Sequence, residues 1–252
     1  MNDDALYRRA CDGLLGFYRF MAEASPGASL WERDGLSAFV SPKTPERSFC
    51  NAVNYADPAA LIAALPELEQ VYEDAGVRAW TVWVHARDRD VAAKLAAAGH
   101  VLDANPAAMA AELDRFEARP SPQVDIRPGA SAVEVARIND AAYGYDGDFE
   151  EMLTTLPEGS YELYVARVDG EPWACTGAFR HGDNCDITLV ATLPEARGRG
   201  LATELMKRAL ADARELGCST TTLVATKMGE PIYERLGYRS LGRIEMWERR
   251  KP

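Results

Sequence analysis

The segment Val190–Thr203, VATLPEARGRGLAT, decides how this chain is read. A β-branched run ends at Pro194, an Arg/Gly loop follows, and a helical pattern starts at Leu201. The first turn of a helix leaves its backbone N–H groups without intrahelical acceptors, and the helix dipole puts partial positive charge there. A strand, a glycine turn and a helix N-terminus in this order predict an anion site. Gly198 and Gly200 have no side chain to block a phosphate and tolerate unusual dihedrals, while Arg197 and Arg199 add charge. Two familiar phosphate loops do not fit. The Walker pattern G-x-x-x-x-G-K-[ST] is absent, and Thr203 stands where the dinucleotide fingerprint needs its last glycine.

The elements around this segment alternate. Val124–Arg127 reads as a strand, Ala132–Ala142 as a helix, and Phe149–Leu156 as a short helix. Strands at Tyr161–Val168 and Pro172–Arg180 meet at the hairpin dipeptide Asp169-Gly170, and a third follows at Cys185–Thr192. The stripe Leu201, Leu205, Ala209, Ala213, Leu216 predicts an amphipathic helix stopped by Gly217. Ser219–Thr226 is strand-like, Pro231–Leu236 a short helix, and Leu241–Glu248 a last strand.

The loop pattern R-x-x-G-x-A, Arg197 through Gly200 to Ala202, resembles the acetyl-CoA motif of the GNAT superfamily of N-acetyltransferases. The later stretch MGEPIYERLGYRSLG, Met228–Gly242, resembles that family's second motif through Tyr233, Gly237 and Tyr238. The resemblance covers about residues 124–249. It implies acetyl-CoA as cosubstrate, with the backbone of Arg197, Gly198, Arg199, Gly200, Leu201, Ala202 and Thr203 holding the pyrophosphate. It further implies that Val190, Ala191 and Thr192 line the pantetheine, with an N–H near Val190 on the thioester carbonyl. Tyr233 would be the general acid. Asp186 is the candidate base, because period two puts it on the strand face of Thr188 and Val190; its plainer reading is a solvated strand-edge residue. The implied activity is direct transfer of acetyl to a primary amine in a ternary complex. The alternative is an acyl-CoA-binding sensor or assembly module without catalysis.

The first part of the chain is less regular. Helices are expected at Tyr7–Ala24, Leu61–Ala75 and Val91–Ala98, and a strand at Trp80–His85. Ala108–Phe116 has helical composition but takes a strand's place in the order of elements. Helix, Gly76, AWTVWV, VAAKLAAA, Gly99 echoes helix, Gly217, STTTLVAT, PIYERL, Gly237. With the break at Pro120 and Pro122, this predicts an α/β (α+β) protein of two tandem GNAT-like domains, residues 1–119 and 120–252. Each would be a mixed, mostly antiparallel sheet flanked by helices. In the echo, Asn51–Leu65, NAVNYADPAALIAAL, stands where the Arg/Gly loop should be and lacks its glycines and arginines. The first domain is therefore expected to be degenerate, without cofactor binding.

Composition bounds the partners. The 252 residues carry 28 Lys+Arg against 39 Asp+Glu, a formal charge of −11. That disfavours nucleic acid and anionic membrane as bulk partners and tilts the acceptor towards a cation such as a polyamine, aminoglycoside or protein amine. The acidic run Tyr145–Glu151 reads either as a solvated helix start or as a cation-selecting wall through Asp146, Asp148 or Glu150. Five scattered cysteines without a C-x-x-C pair, and only three histidines, predict no metal site and free thiols in a reducing compartment. The start MNDDALYRRA lacks an apolar signal core, and a cytoplasmic location is expected. Trp80 and Trp83 are expected in the core on one strand face. Oligomerisation is left open.

Overall fold

The computed structural model describes residues 1–116, 121, 123–155 and 161–251. The first part runs α1 (Asp3–Ala24), β1 (Ser29–Arg33), β2 (Leu36–Val40), β3 (Ala52–Tyr55), α2 (Pro58–Asp74), β4 (Ala79–His85), α3 (Arg89–Ala97), β5 (Val101–Ala104) and β6 (Ala107–Glu112). The second runs β7 (Asp125–Pro128), α4 (Ala132–Tyr143), α5 (Asp148–Met152), β8 (Tyr161–Val168), β9 (Glu171–His181), β10 (Asn184–Thr192), α6 (Leu201–Glu215), β11 (Thr220–Ala225), α7 (Glu230–Arg235) and β12 (Arg239–Arg250). The expected boundary at residues 119/120, with its Pro120–Pro122 break, and Leu156 lie outside the described residues.

The strands form one mixed, mostly antiparallel sheet in the order β1-β2-β3-β4-β12-β6-β11-β10-β9-β8-β7, with β5 pairing on β12. Among the described residues only β3–β4 and β10–β11 run parallel, one pair in each part of the chain, as a helical crossover requires. The two parts exchange their last strands. β6 lies between β11 and β12, while residues 244–250 of β12 pair with β4. Ala107–Glu112 is thus a strand, and its alanines are buried on both faces, which explains its helix-like composition.

Alternation on β4 separates the two faces. Trp80, Val82 and Val84 pack with Leu61, Leu68 and Leu95 of α2 and α3. Trp83 points the other way, into the cluster of Leu14, Phe17 and Tyr18 from α1. Trp80 and Trp83 therefore lie on opposite faces, correcting the one-face expectation: three residues is an odd spacing on a strand. On β6, Met109 faces the α6 cluster and Ala108 the α1 cluster. Hence α2, α3 and α6 cover one face, and α1, α4 and α5 the other.

Helix α1 lies close to the sheet because two of its turns lack side chains. A Cβ on Gly13 would sit 2.3 Å from Asp186 Cγ, and one on Gly16 would sit 2.2 Å from Phe179 Cε1. Gly13→Ala should therefore reverse the usual helix preference. The gain in propensity is about 1 kcal/mol. The overpacking costs about 1–3 kcal/mol. A lower urea midpoint at unchanged m-value is expected, because α1 or Asp186 must move.

Candidate active site

Strand β10 breaks its ladder where the site begins. Its parallel pairing with β11 runs from Asn184↔Thr220 to Ile187↔Leu223 and goes no further. Its antiparallel pairing with β9 shifts register between Thr188 and Ala191. Leu189 adopts φ +51°, a conformation disfavoured for a branched side chain and held here by the surrounding structure. The two strands splay, and residues 188–192 are left without a β11 partner.

Several side chains hold the bulge. The Tyr143 hydroxyl donates to the Val190 carbonyl at 2.7 Å. The Cys175 thiol lies 3.4 Å from the Leu189 carbonyl, and Asn139 Nδ2 donates to Cys175 Sγ at 3.3 Å. Burial pushes the Cys175 thiol well up, so it serves as packing and as a neutral donor. Sequence reading missed these braces, since a Tyr and an Asn on a helix carry no local signal of a strand they meet in three dimensions.

After β10 comes a 3₁₀ turn, Pro194–Ala196, then the Arg/Gly loop. Gly198 and Gly200 sit at φ +77° and +79°, and a Cβ on either would meet open space. The need for glycine there is conformational, and the space beside the backbone is free. Among the described residues, the six successive N–H groups of Gly198–Thr203 have no acceptor; the first inside the helix, Glu204, bonds to the Gly200 carbonyl. Leu201 is buried under α6 and anchors this end. The arginines act differently from each other. Arg197 donates to the carbonyls of Thr192 (3.3 Å) and Ala142 (2.8 Å), bracing the loop against the end of α4. Arg199 stacks over Trp173 at 5.9 Å. Such a row of free donors at a helix N-terminus, with two cations beside it, fits a pyrophosphate.

The corresponding place in the first part is closed. The connection from β3 to α2 is only Ala56 and Asp57. Asp57 caps α2 with its own carboxylate, accepting from Ala59 N at 2.9 Å, and Pro58 removes another donor.

A cavity of about 600 Å³ opens at the splay. Asp186, Thr188, Val190 and Tyr233 line it together. Ala191 is buried behind the bulge, opposite Cys175. The Tyr233 ring needs Gly229, where a Cβ would come 2.8 Å from Cε2. Its hydroxyl has no hydrogen-bond partner among the described residues, and burial raises its pKa above the usual phenol value, keeping the proton on. Asp186 is buried, not a solvated edge residue. Burial holds its carboxyl well above the usual carboxylate range, against a 2.7 Å hydrogen bond from Thr222. No basic side chain pairs with it among the described residues.

The acidic run does not form a cation-selecting wall. Asp148 pairs with Arg47, Asp146 lies 3.7 Å from the same guanidinium, and Glu150 pairs with Arg137 at 2.7 Å. Tyr145 and Phe149 from that run line the cavity instead. Much of the remaining wall comes from the first part of the chain: the 3₁₀ turn Ser48–Cys50, Trp83, and the end of β5 with the link through Asn105 and Pro106. Asn51 pins that wall, accepting from Ser41 N (2.7 Å) and donating to the Thr44 carbonyl (2.9 Å). Burial pushes the Cys50 thiol up to about 12, leaving it protonated at neutral pH.

Comparison with known proteins agrees with the GNAT resemblance over part of the chain. Residues 159–240 match the acetyltransferase (GNAT) domain. The second part of this chain carries a GNAT domain. An uncharacterized N-acetyltransferase, YjgM of Escherichia coli (strain K12), is 28% identical over 100 residues, 37% of this chain; the match spans only 60% of that protein. Among solved structures, a GCN5-related N-acetyltransferase from Kribbella flavida matches with a TM-score of 0.69 at 17% identity, covering 96% of each chain. A tandem GNAT protein from the clavulanic acid biosynthesis pathway matches with a TM-score of 0.60 at 16% identity, over 95% of this chain and 88% of that one. These likenesses show the GNAT fold across both parts of the chain. No helix among the described residues is long and apolar enough to cross a membrane.

Proposed function

We propose that the protein is an N-acetyltransferase that transfers acetyl from acetyl-CoA to a primary amine by direct attack in a ternary complex, in the cytoplasm. The reading rests above all on one juxtaposition: a row of free N–H donors on Gly198–Thr203 at one end of a splayed strand whose other end opens into the cavity holding Tyr233 and Asp186. The loop donors hold the pyrophosphate. The free edge of residues 188–192 pairs with the pantetheine, and an N–H near Val190 donates to the thioester oxygen, where charge develops as the amine attacks; one such donor is commonly worth about 3 kcal/mol. Asp186 takes the amine's proton, directly or through water. Tyr233, which burial keeps protonated, donates its proton to the departing thiolate. The closed start of α2 supports one cofactor site per chain.

The test is thiol release from acetyl-CoA across a panel of amines. Turnover is expected; tight binding of acetyl-CoA without turnover on any amine would favour the sensor reading. Asp186 gives a second check. A base with a raised pKa puts the acid limb of kcat/KM above the usual carboxylate range, and Asp186→Asn should lower kcat by about 10²-fold. The stability effect has a definite sign. A pKa raised by folding gives stability that is present below the unfolded value and lost as pH rises through the folded one. Asp186→Asn should therefore have a higher Tm than the parent at neutral and alkaline pH, with the difference vanishing below about pH 4. An unchanged acid limb in the variant would remove Asp186 from the mechanism.

A further inference from the structure

One side of the cavity carries a row of aromatic rings, the first three pairs of them stacked and the last tilted. Ring centroids of Tyr143 and Tyr145 are 5.6 Å apart, those of Tyr145 and Phe149 5.5 Å, those of Phe149 and Phe49 6.1 Å, and those of Phe49 and Phe17 6.2 Å. The row starts at Tyr143, whose hydroxyl holds the Val190 carbonyl, and ends on α1, so it runs from the splayed strand into the first part of the chain. Trp83 closes the same side, its Nε1 donating to the Tyr18 hydroxyl at 2.9 Å.

Arg47 and Glu46, which line the cavity here, already have partners. Arg47 stacks over Tyr145 at 5.5 Å and pairs with Asp148. Glu46 lies 3.3 Å from Arg78 and 3.7 Å from Arg250. Asp103 and Lys227 are exposed. That leaves Asp186 as the one buried carboxylate in the lining, and burial favours its neutral form. A polyamine or aminoglycoside brings further ammonium groups, each of which is costly to bury without its own carboxylate. An aromatic or branched apolar body instead gains from leaving water and from stacking on these rings.

We propose that the acceptor is a primary amine borne on a single aromatic or branched apolar body without a second charge, and that the first part of the chain selects it through Phe17, Phe49 and Trp83. This inference rests on the N-acetyltransferase reading given above and replaces polycations as the favoured acceptors. The amine points to the bulge at Leu189, near Asp186, and the body lies along the ring row.

The test uses the full chain with acetyl-CoA and two sets of amines: 2-phenylethylamine, tyramine and isoamylamine against spermidine and kanamycin. The expected result is a kcat/KM for the first set roughly 100-fold or more above the second, a ratio set by the apolar area each can bury. Phe49→Ala, at a half-buried position, should raise KM for 2-phenylethylamine on the order of tenfold while leaving KM for acetyl-CoA unchanged. Equal or faster turnover of spermidine or kanamycin would overturn the inference. If no amine turns over, binding decides it: 2-phenylethylamine titrated into the CoA-loaded protein should change tryptophan fluorescence in the parent but not in Trp83→Phe, an effect that spermidine should not reproduce. CoA binding with no such response would overturn the acceptor class and leave the cofactor site standing. Failure to bind acetyl-CoA at all would instead overturn the N-acetyltransferase reading on which the inference rests.

Discussion

Gly200→Asp is expected to weaken acetyl-CoA binding on the order of 100-fold or more, through loss of anion complementarity at the helix N-terminus. Gly200 is the residue just before α6, at φ +79°, in the middle of six N–H groups that have no acceptor among the described residues. A carboxylate there meets the same donors that would hold the pyrophosphate and repels its charge. The left-handed dihedral costs a non-glycine residue roughly 1–2 kcal/mol. No atom lies within 4 Å of the added Cβ, so the chain should still fold, with a modest fall in Tm. Gly200→Ala separates the two effects, because it carries the strain without the charge and should lose much less affinity. Calorimetric titration of both variants reads the difference; retained affinity in Gly200→Asp would remove the loop from the site.

Tyr233→Phe should lower kcat by about 10²–10³-fold with little change in the affinity for acetyl-CoA, the range expected when a positioned general acid is lost. Structure makes this substitution unusually clean. The hydroxyl has no protein partner to leave unpaired among the described residues, and the ring keeps its place beside Gly229. Stability should stay within about 0.5 kcal/mol of the parent, since nothing buried is orphaned. Steady-state kinetics with thermal melts checks both halves of the expectation. An unchanged kcat would reduce Tyr233 to a packing residue.

The second part of the chain was legible because its signals are local. Asp169-Gly170 fixes a hairpin, Tyr161–Val168 begins and ends where its pattern does, and Gly217 stops α6 at φ +90°. The Arg/Gly loop is likewise a contiguous stretch whose chemistry follows from its own backbone. The first part hid its strands for a physical reason. β2 is buried at every position and β3 at nearly all, so neither shows alternation, and each is only four or five residues long. The exchange of β6 and β12 was beyond sequence reading, because AAMAAE is compatible with several partners and its pairings join distant residues.

The site divided along the same line. Tyr233, Asp186 and Val190 were named from motif and period, and they share one cavity. Its other wall was missed because its key tie, Arg47 to Asp148, joins distant residues, and because nothing in the sequence marks Asn51 as the anchor of its own loop. Sequence reading aligns Asn51 with the cofactor strand and leaves the acidic run either a solvated helix start or a cation-selecting wall. Both residue sets turn out to hold the aromatic wall in place. Arg197 differs too, since its guanidinium is spent on two carbonyls of the loop's own supports.

A crystal structure with acetyl-CoA tests the central claim most directly. The account predicts one molecule per chain, its pyrophosphate on the N–H groups of Gly198–Thr203 and its thioester beside the bulge at Leu189, within reach of the Tyr233 hydroxyl. A cofactor seated at the start of α2 near Asp57, or one whose pyrophosphate avoids the Arg197–Thr203 loop, would contradict it.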